Sequence, residues 1–429
     1  MKNFKKNDLL FKKAKEIIPW VSQTLSKSHL HYPVGRAPLF IKRGKGAYVW
    51  DMDGNKYLDM INALLLVVLG YQYPVVDKAI KDQLKNGISF SLPSPLEYEL
   101  SKELIKLIPC AEMVRFGKNG SDATSGAIRL ARFITKKERV AVCGYHGWQD
   151  WYIGVNPQRS EGVPFGVKSL THKFEYNNIE SLEKIFKEHK NQFAAVIMEP
   201  MNIEEPKKGF LEAVKDLTHK NGALFIFDEI ITGFRFSLGG AQKYFNIIPD
   251  LATFGKSMGN GMPISVVLGR KEYMEKMENI FYSLTFGGES LSLAASLATI
   301  KEMKEKKVIS HIWKEGKYLK DKTLKLIEDN RLSEVLDLRG KPCWQVFKIQ
   351  DYKDFSSQEI KSYLQQELIG RGILWIGNHN MSFSHKREDL NKLLKVYEEV
   401  FPLLREVLNK GNLKQRLLGK ITKGDYKLR

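Results

Sequence analysis

Cysteine is scarce in this chain: 429 residues carry three, Cys110, Cys143 and Cys343. They show neither C-x-x-C spacing nor an even-numbered framework, which excludes a disulfide-stapled secreted domain. A reducing, cytoplasmic setting is expected, with no metal site. Long apolar runs are missing too. The longest strongly apolar stretch, Ala63 to Leu69, falls far short of the roughly 20 residues that cross a bilayer. No signal-peptide pattern opens the sequence: Met1 to Asp8 is basic and polar, and Leu9 to Trp20 is broken by Lys12, Lys13, Lys15 and Glu16. No membrane role is expected. Dense or aromatic-interleaved basic blocks are also lacking, although the net charge is +19 (68 − 49). Seven basic residues and one acid between Lys410 and Arg429 supply +6 of it, and the rest is dispersed. Nucleic-acid binding is therefore the weaker reading; anionic substrates or a lysine-rich solvated surface explain the charge as well. Repeats and low-complexity segments are absent. The length suggests two or three domains with a large core.

What is present centres on Ala223 to Pro263. Ala223 to Phe227 is a short apolar run that reads as a strand buried on both faces, as in a parallel sheet. It ends at Asp228 and Glu229, where open α/β sheets place their ligands. Further on, Lys256 stands between a small residue and a glycine-rich loop, which lets backbone or a flat ligand come close. An ion pair is the bland reading of such a carboxylate and lysine. A P-loop fails, because G-x-x-x-x-G-K-S needs glycine where Asp250 stands. The remaining reading is a pyridoxal-phosphate site: the lysine forms a Schiff base with the cofactor aldehyde, and the acid keeps the pyridine nitrogen protonated.

The run Asp228-Glu229-Ile230-Ile231-Thr232-Gly233-Phe234-Arg235 is followed by Gly239-Gly240-Ala241-Gln242 and by Pro249-Asp250-Leu251 to Gly255-Lys256. Together they resemble the class III aminotransferases of fold type I, and within them the glutamate-1-semialdehyde 2,1-aminomutase branch. Further motifs recur in order between about Gly46 and Gly377, among them Gly46-Ala47-Tyr48-Val49-Trp50-Asp51-Met52-Asp53-Gly54-Asn55. The likeness implies Lys256 as the Schiff-base lysine, Asp228 as partner of the pyridine nitrogen and Ile230 as an apolar platform under the ring. Gly120 and Ser121 match the Gly-Thr that grips the cofactor phosphate, on a turn opening a helix, whose free N–H groups suit a phosphate. Tyr145, in Gly144-Tyr145-His146-Gly147-Trp148, is the ring's stacking partner by the same likeness; core packing is its bland alternative. Thr285 would reach the phosphate of a second subunit, implying a homodimer with shared sites. Two places depart from the pattern: Lys118-Asn119 replace Asn-Ser, and Gly287-Gly288-Glu289-Ser290 replace Ser-Gly-Asn-Pro. The added carboxylate, Glu289, suggests a different substrate.

The fold expected is α/β: a mostly parallel central sheet flanked by helices, with a smaller α+β domain. Residues 1–60 are read as an N-terminal helix and β-meander packing with the small domain, 61–308 as the large cofactor-binding domain, and 309–429 as the small domain with a basic, mobile tail. The meander turns at Asp53-Gly54. Ile153 to Lys168 reads as a loop and plausible lid. Arg36, in a Gly- and Pro-bearing loop, offers a guanidinium fork for a substrate carboxylate or phosphate, or is an exposed loop arginine. Glu199, at a strand end, either orients site groups or belongs to a structural pair. His379, in Gly377-Asn378-His379-Asn380, is a candidate substrate contact. The reading is an aminotransferase acting on an amine or amino acid donor and an aldehyde or keto acceptor. The alternatives are intramolecular transfer, as in an aminomutase, and a catalytically retired basic binding protein.

Overall fold

The computed structural model describes residues 2–423. They form two compact units: Pro74–Ile309, and a second built from the chain before Pro74 together with the chain after Ile309. The division falls after Tyr73, so residues 61–73 lie with the smaller unit rather than the large one.

The large unit is built on a seven-stranded sheet. In chain order its strands are β1 (Met113–Gly117), β2 (Arg139–Cys143), β3 (Thr171–Lys173), β4 (Phe193–Met198), β5 (Leu224–Asp228), β6 (Leu251–Phe254) and β7 (Ser265–Gly269). They lie side by side as β1-β7-β6-β5-β4-β2-β3. Neighbours from β6 to β3 are parallel, and β7 runs antiparallel to both β6 and β1. Every residue of β4, β5, β6 and β7 is buried, which is why these segments read as continuous apolar runs. Helix α1 (Gly120–Thr135) turns Ala123, Ala127, Leu130 and Ala131 inward, all without exposure, and they share a core with Ile197, Ile226 and Val267 of the sheet. Helix α2 (Ser290–Glu305) closes the unit against the helices Pro74–Leu84 and Pro95–Leu107. The segment read as a loop at 153–168 ends in a helical turn, Phe165–Lys168.

The smaller unit opens with a helix, Lys5–Ile17, earlier than the Leu9 start read from its apolar spacing. The meander follows as Ile41–Lys45, Tyr48–Asp51 and Lys56–Asp59. Asp51 fixes its second turn by accepting from the backbone N–H groups of Asp53 and Asn55, at 3.0 and 2.9 Å, while Gly54 takes φ +88°. A parallel strand from the far end of the chain, Ile373–Leu374, pairs with Leu58 and Asp59. A separate antiparallel sheet holds Leu336–Lys341, Trp344–Ile349 and Asn378–Asn380. Helices α3 (Ser357–Gly370) and α4 (Arg387–Lys410) belong to the same unit. The tail after Lys410 was expected to be mobile. Up to Lys423 it is held: the Lys420 and Lys423 N–H groups donate to the carbonyls of Val34 (3.2 Å) and Leu30 (3.0 Å).

Candidate active site

Four adjacent parallel strands bring their C-terminal ends together on one edge of the sheet. Strand β2 ends into Gly144-Tyr145-His146, β4 into Glu199, β5 in Asp228 and β6 into Gly255-Lys256. This is the edge where open α/β sheets hold ligands.

Asp228 is buried, with 4% of its surface exposed, and each carboxylate oxygen has a partner. Oδ2 lies 2.8 Å from Nδ1 of His146. A carboxylate facing a ring nitrogen accepts, so Nδ1 carries the hydrogen. Oδ1 accepts from the Thr253 hydroxyl at 3.2 Å and from the Ile230 N–H at 3.1 Å. Thr253 pairs with Asp228 across the β5–β6 ladder, three residues before Lys256, so acid and lysine are carried by neighbouring strand ends. Lys256 is half-buried at φ +39°, a left-handed conformation costing a side-chain-bearing residue on the order of 1–2 kcal/mol. A short 3-10 turn, Lys256–Gly259, follows it. The fully buried Arg235 donates to the Ser257 hydroxyl at 3.3 Å, bracing that turn.

Ile230 stands directly after the two acids. A Cβ placed on Gly120 or Gly255 would come within 3.2 Å of its Cδ1, so three backbone segments meet around this one apolar side chain. Gly120 and Ser121 open α1, where first-turn N–H groups have no partner inside the helix. The turn is held from both sides: Asp122, in the helix's own first turn, accepts the Lys118 and Asn119 N–H groups at 3.1 and 2.7 Å, and the Ser265 hydroxyl donates to the Asn119 carbonyl at 2.7 Å. Ser121 Oγ accepts the Trp148 N–H at 3.3 Å. A Cβ on Gly147, at φ +120°, would stand 2.3 Å from that oxygen, so only glycine lets the β2 loop and the α1 start approach this closely. Tyr145 is half-buried, with its ring edge-on to Tyr152 (centroids 5.7 Å apart) and its N–H donated to Glu199 Oε2 at 3.1 Å. Glu199 therefore orients the β2 loop. Thr285 is exposed in an irregular stretch between Phe281 and Phe286, which are 81% and 60% exposed.

Glu289 does not face substrate as a free carboxylate. It caps α2, accepting the Leu291 N–H at 2.7 Å, and its Oε2 lies 2.9 Å from Lys118 Nζ. Burial pushes this carboxyl up, but hydrogen bonds from Ser292 and Lys118 and the lysine's charge outweigh that and hold it below its usual range. The two departures from the family pattern are thus in contact with each other. Beside Asp228, Glu229 is wholly buried; burial pushes it up to about 7 against hydrogen bonds from Gln242, Ala241 and Thr232 that pull it down.

Two sequence candidates lie in the smaller unit. Arg36 closes a turn, donating its N–H to the Pro33 carbonyl at 2.9 Å, and is half-buried. His379 corrects the expectation of a substrate contact. It has no exposed surface, its ring nitrogens lie 2.9 Å from Gln345 Oε1 and 2.7 Å from the Tyr397 hydroxyl, and burial pushes it down to about 3, so it stays neutral in the core. Sequence reading underrated His146 and did not single out Thr253 or Arg235. Only sheet order, which places β2 two strands from β5, reveals that His146 meets Asp228.

The residues at this edge fit pyridoxal phosphate: an amine, a buried acid with fixed hydrogen-bond partners, an apolar side chain wedged between glycines, and helix-start N–H groups. The class III aminotransferase family model matches residues 31–383. The chain is 33% identical over 409 residues to a 3-aminobutyryl-CoA aminotransferase of Cloacimonas acidaminovorans, covering 93% of this chain and 97% of that one. It is 36% identical over 434 residues to a glutamate-1-semialdehyde 2,1-aminomutase of Alkaliphilus oremlandii, covering 94% and 100%. In fold it matches the Sphingopyxis sp. MTA144 FumI protein in its PLP internal aldimine form, with a TM-score of 0.86 at 24% identity over 97% and 99% of the two chains.

The fold and this strand-end site define a pyridoxal-phosphate enzyme of fold type I. The chain belongs to the class III aminotransferases and transfers amino groups with that cofactor. The retired binding protein is thereby set aside. Among the described residues no helix is long and apolar enough to cross a membrane.

Proposed function

We propose that Lys256 is the residue that would hold the cofactor and that would carry the proton away from the substrate's α-carbon. Asp228, backed by His146 and Thr253, keeps the ring nitrogen protonated. The bound cofactor supplies the electron sink that makes this carbon acidic. Ile230 and Tyr145 would hold the ring, Gly120 and Ser121 would receive the phosphate, and Glu199 sets the Tyr145 loop. Arg36 is the fork for a substrate carboxylate. The observation carrying this reading is the convergence of four strand ends around a buried acid whose two oxygens are both held. Thr285 and the exposed Phe281 and Phe286 support a homodimer in which each subunit lends a residue to its partner's site. Three buried, unbridged cysteines support a cytoplasmic setting.

Half-reactions test the reading: purified enzyme is mixed with single amine donors, including amino acids and a β-amino acyl thioester, and the cofactor spectrum is followed. A spectral change with release of one equivalent of carbonyl product is expected, reversed by an added keto acid or aldehyde. No change with any donor would overturn it. The second reading, intramolecular transfer, is supported by relatives named as aminomutases, and it predicts that the first carbonyl product stays bound and is re-aminated.

A further inference from the structure

The end of the chain is stitched onto the turn that carries Arg36. Helix α3 presents a buried row of polar side chains, Ser362, Gln365 and Gln366, on a face that ordinarily would be apolar. The tail satisfies that row. Gln366 donates to the Arg416 carbonyl at 2.8 Å and accepts the Leu418 N–H at 2.9 Å; Ser362 accepts the Thr422 N–H at 2.9 Å. Gln365, on the same face, donates to the His31 carbonyl at 2.9 Å. One helix face thus grips both the tail and the segment leading to Arg36.

Tail and segment also meet directly. Lys420 and Lys423 donate backbone N–H groups to Val34 and Leu30, at 3.2 and 3.0 Å. The Pro33–Arg36 turn has Gly35 at φ +88° in its third position, a type II geometry, so Val34 turns its carbonyl outward, where Lys420 meets it. At Gly419 a Cβ would stand 2.9 Å from Pro33 Cβ and 3.2 Å from Arg36 Cβ, so the strap is in close contact with the base of the arginine side chain.

We propose that residues 416–423 are a positioning strap that fixes the Arg36 guanidinium and thereby sets affinity for carboxylate-bearing donors. This rests on the reading of Arg36 as the carboxylate ligand. The strap's contacts are backbone hydrogen bonds, van der Waals packing and the Thr422 hydroxyl, which lies 3.1 Å from Ser362 Oγ and donates to Gln358 Oε1 at 3.3 Å. A tether of this kind acts on substrate placement, where shifts near 1 Å change binding and rate by orders of magnitude.

The test compares Gly419→Val, Thr422→Val and a chain ended after Leu417 with Arg36→Ala, all loaded with cofactor and checked for a cooperative melt. KM and kcat are measured for an amino acid donor and for an amine lacking a carboxylate, and hydrogen exchange is followed at Val34 to Arg36. Gly419→Val should raise KM for the amino acid by about tenfold while kcat and the carboxylate-free amine change little, with faster exchange in the turn. Arg36→Ala should show the same selectivity without faster exchange. If Arg36→Ala raises KM while the folded strap variants leave KM and exchange unchanged, the strap is overturned. If Arg36→Ala has no effect while Gly419→Val speeds exchange and raises KM, the reading of Arg36 as carboxylate ligand falls and the strap's route through it falls as well. If the shortened chain fails to fold, the two point variants decide.

Discussion

The two units hold their polar residues in opposite ways. In the large unit Asp228, Glu199 and Lys256 are delivered to one sheet edge by strand ends, and their partners are chosen by strand order. In the smaller unit buried polar groups serve structure: His379 and Gln345 bond one another, while Ser362 and Gln365 hold the tail and the segment before Arg36. A histidine in the first setting, His146, faces the acid proposed to serve the cofactor; in the second, His379, it is structural. Residue type and motif position alike were silent on that difference, and only the surroundings separate the two.

Substitutions can break or sharpen this contrast. The largest effect is expected at Lys256→Ala, which should lose the yellow absorbance and lower kcat by roughly 10⁴-fold or more, read by stopped-flow and absorbance. Retained turnover would remove the lysine from the chemistry altogether. Asp228→Asn should keep cofactor bound and slow kcat by roughly 10²–10³-fold, with His146→Ala weaker at about tenfold, since it acts through the acid. Equal losses from the two would mean His146 meets the reacting groups itself.

Breaking the Lys118–Glu289 pair comes next. Lys118→Met leaves the partly buried Glu289 without its counter-charge and should destabilise the fold by ~1–2 kcal/mol in urea melts, while weakening cofactor retention at the neighbouring α1 start. The double variant Lys118→Asn/Glu289→Asn, which copies the family's neutral pattern, should recover most of both losses; additive losses would show that the two side chains act separately.

Glu229 predicts a pH dependence. Its folded value, about 7, lies above its ordinary 4.5, so the native state keeps a proton that the unfolded chain has released. Stability should then be full below pH 4.5 and fall as pH rises towards 7, by on the order of 3 kcal/mol, with a flat profile in Glu229→Gln. A rise in stability across that window would mean the carboxylate is held ionised by its donors. Smallest in its effect on activity, His379→Ala should cost ~2 kcal/mol by orphaning Gln345 and Tyr397 and opening a cavity, with KM unchanged. A raised KM there would restore it as a substrate contact.

The sheet's centre was legible because β5 is buried on both faces: its apolar run, Ala223 to Phe227, is displaced by one residue from the strand. Lys256 and Asp228 were legible because a family motif surrounds them. β6 was not, since Leu251–Phe254 is four residues long and hides between an acid and a glycine. The smaller unit was harder to read. Its sheet closes through Ile373–Leu374, a two-residue strand more than 300 positions from its partner, and no local pattern encodes such a pairing. The tail read as loose because it has no counterpart in the family pattern, whereas α3's amides and hydroxyl and the carbonyls of Val34 and Leu30 hold it.

The reversed direction of β7 has a bearing on where the lysine can sit. Every other connection in the sheet must leave the ligand-bearing edge and travel through a helix to the opposite rim before the next strand begins. Between Phe254 and Ser265 the chain instead turns back on the spot, anchored on either side by ladder hydrogen bonds. The amine is therefore mounted on the shortest span available at that rim. Lengthening this span by even a residue or two would slacken the mount, while comparable insertions at the far rim of the crossover segments are taken up by their longer reach.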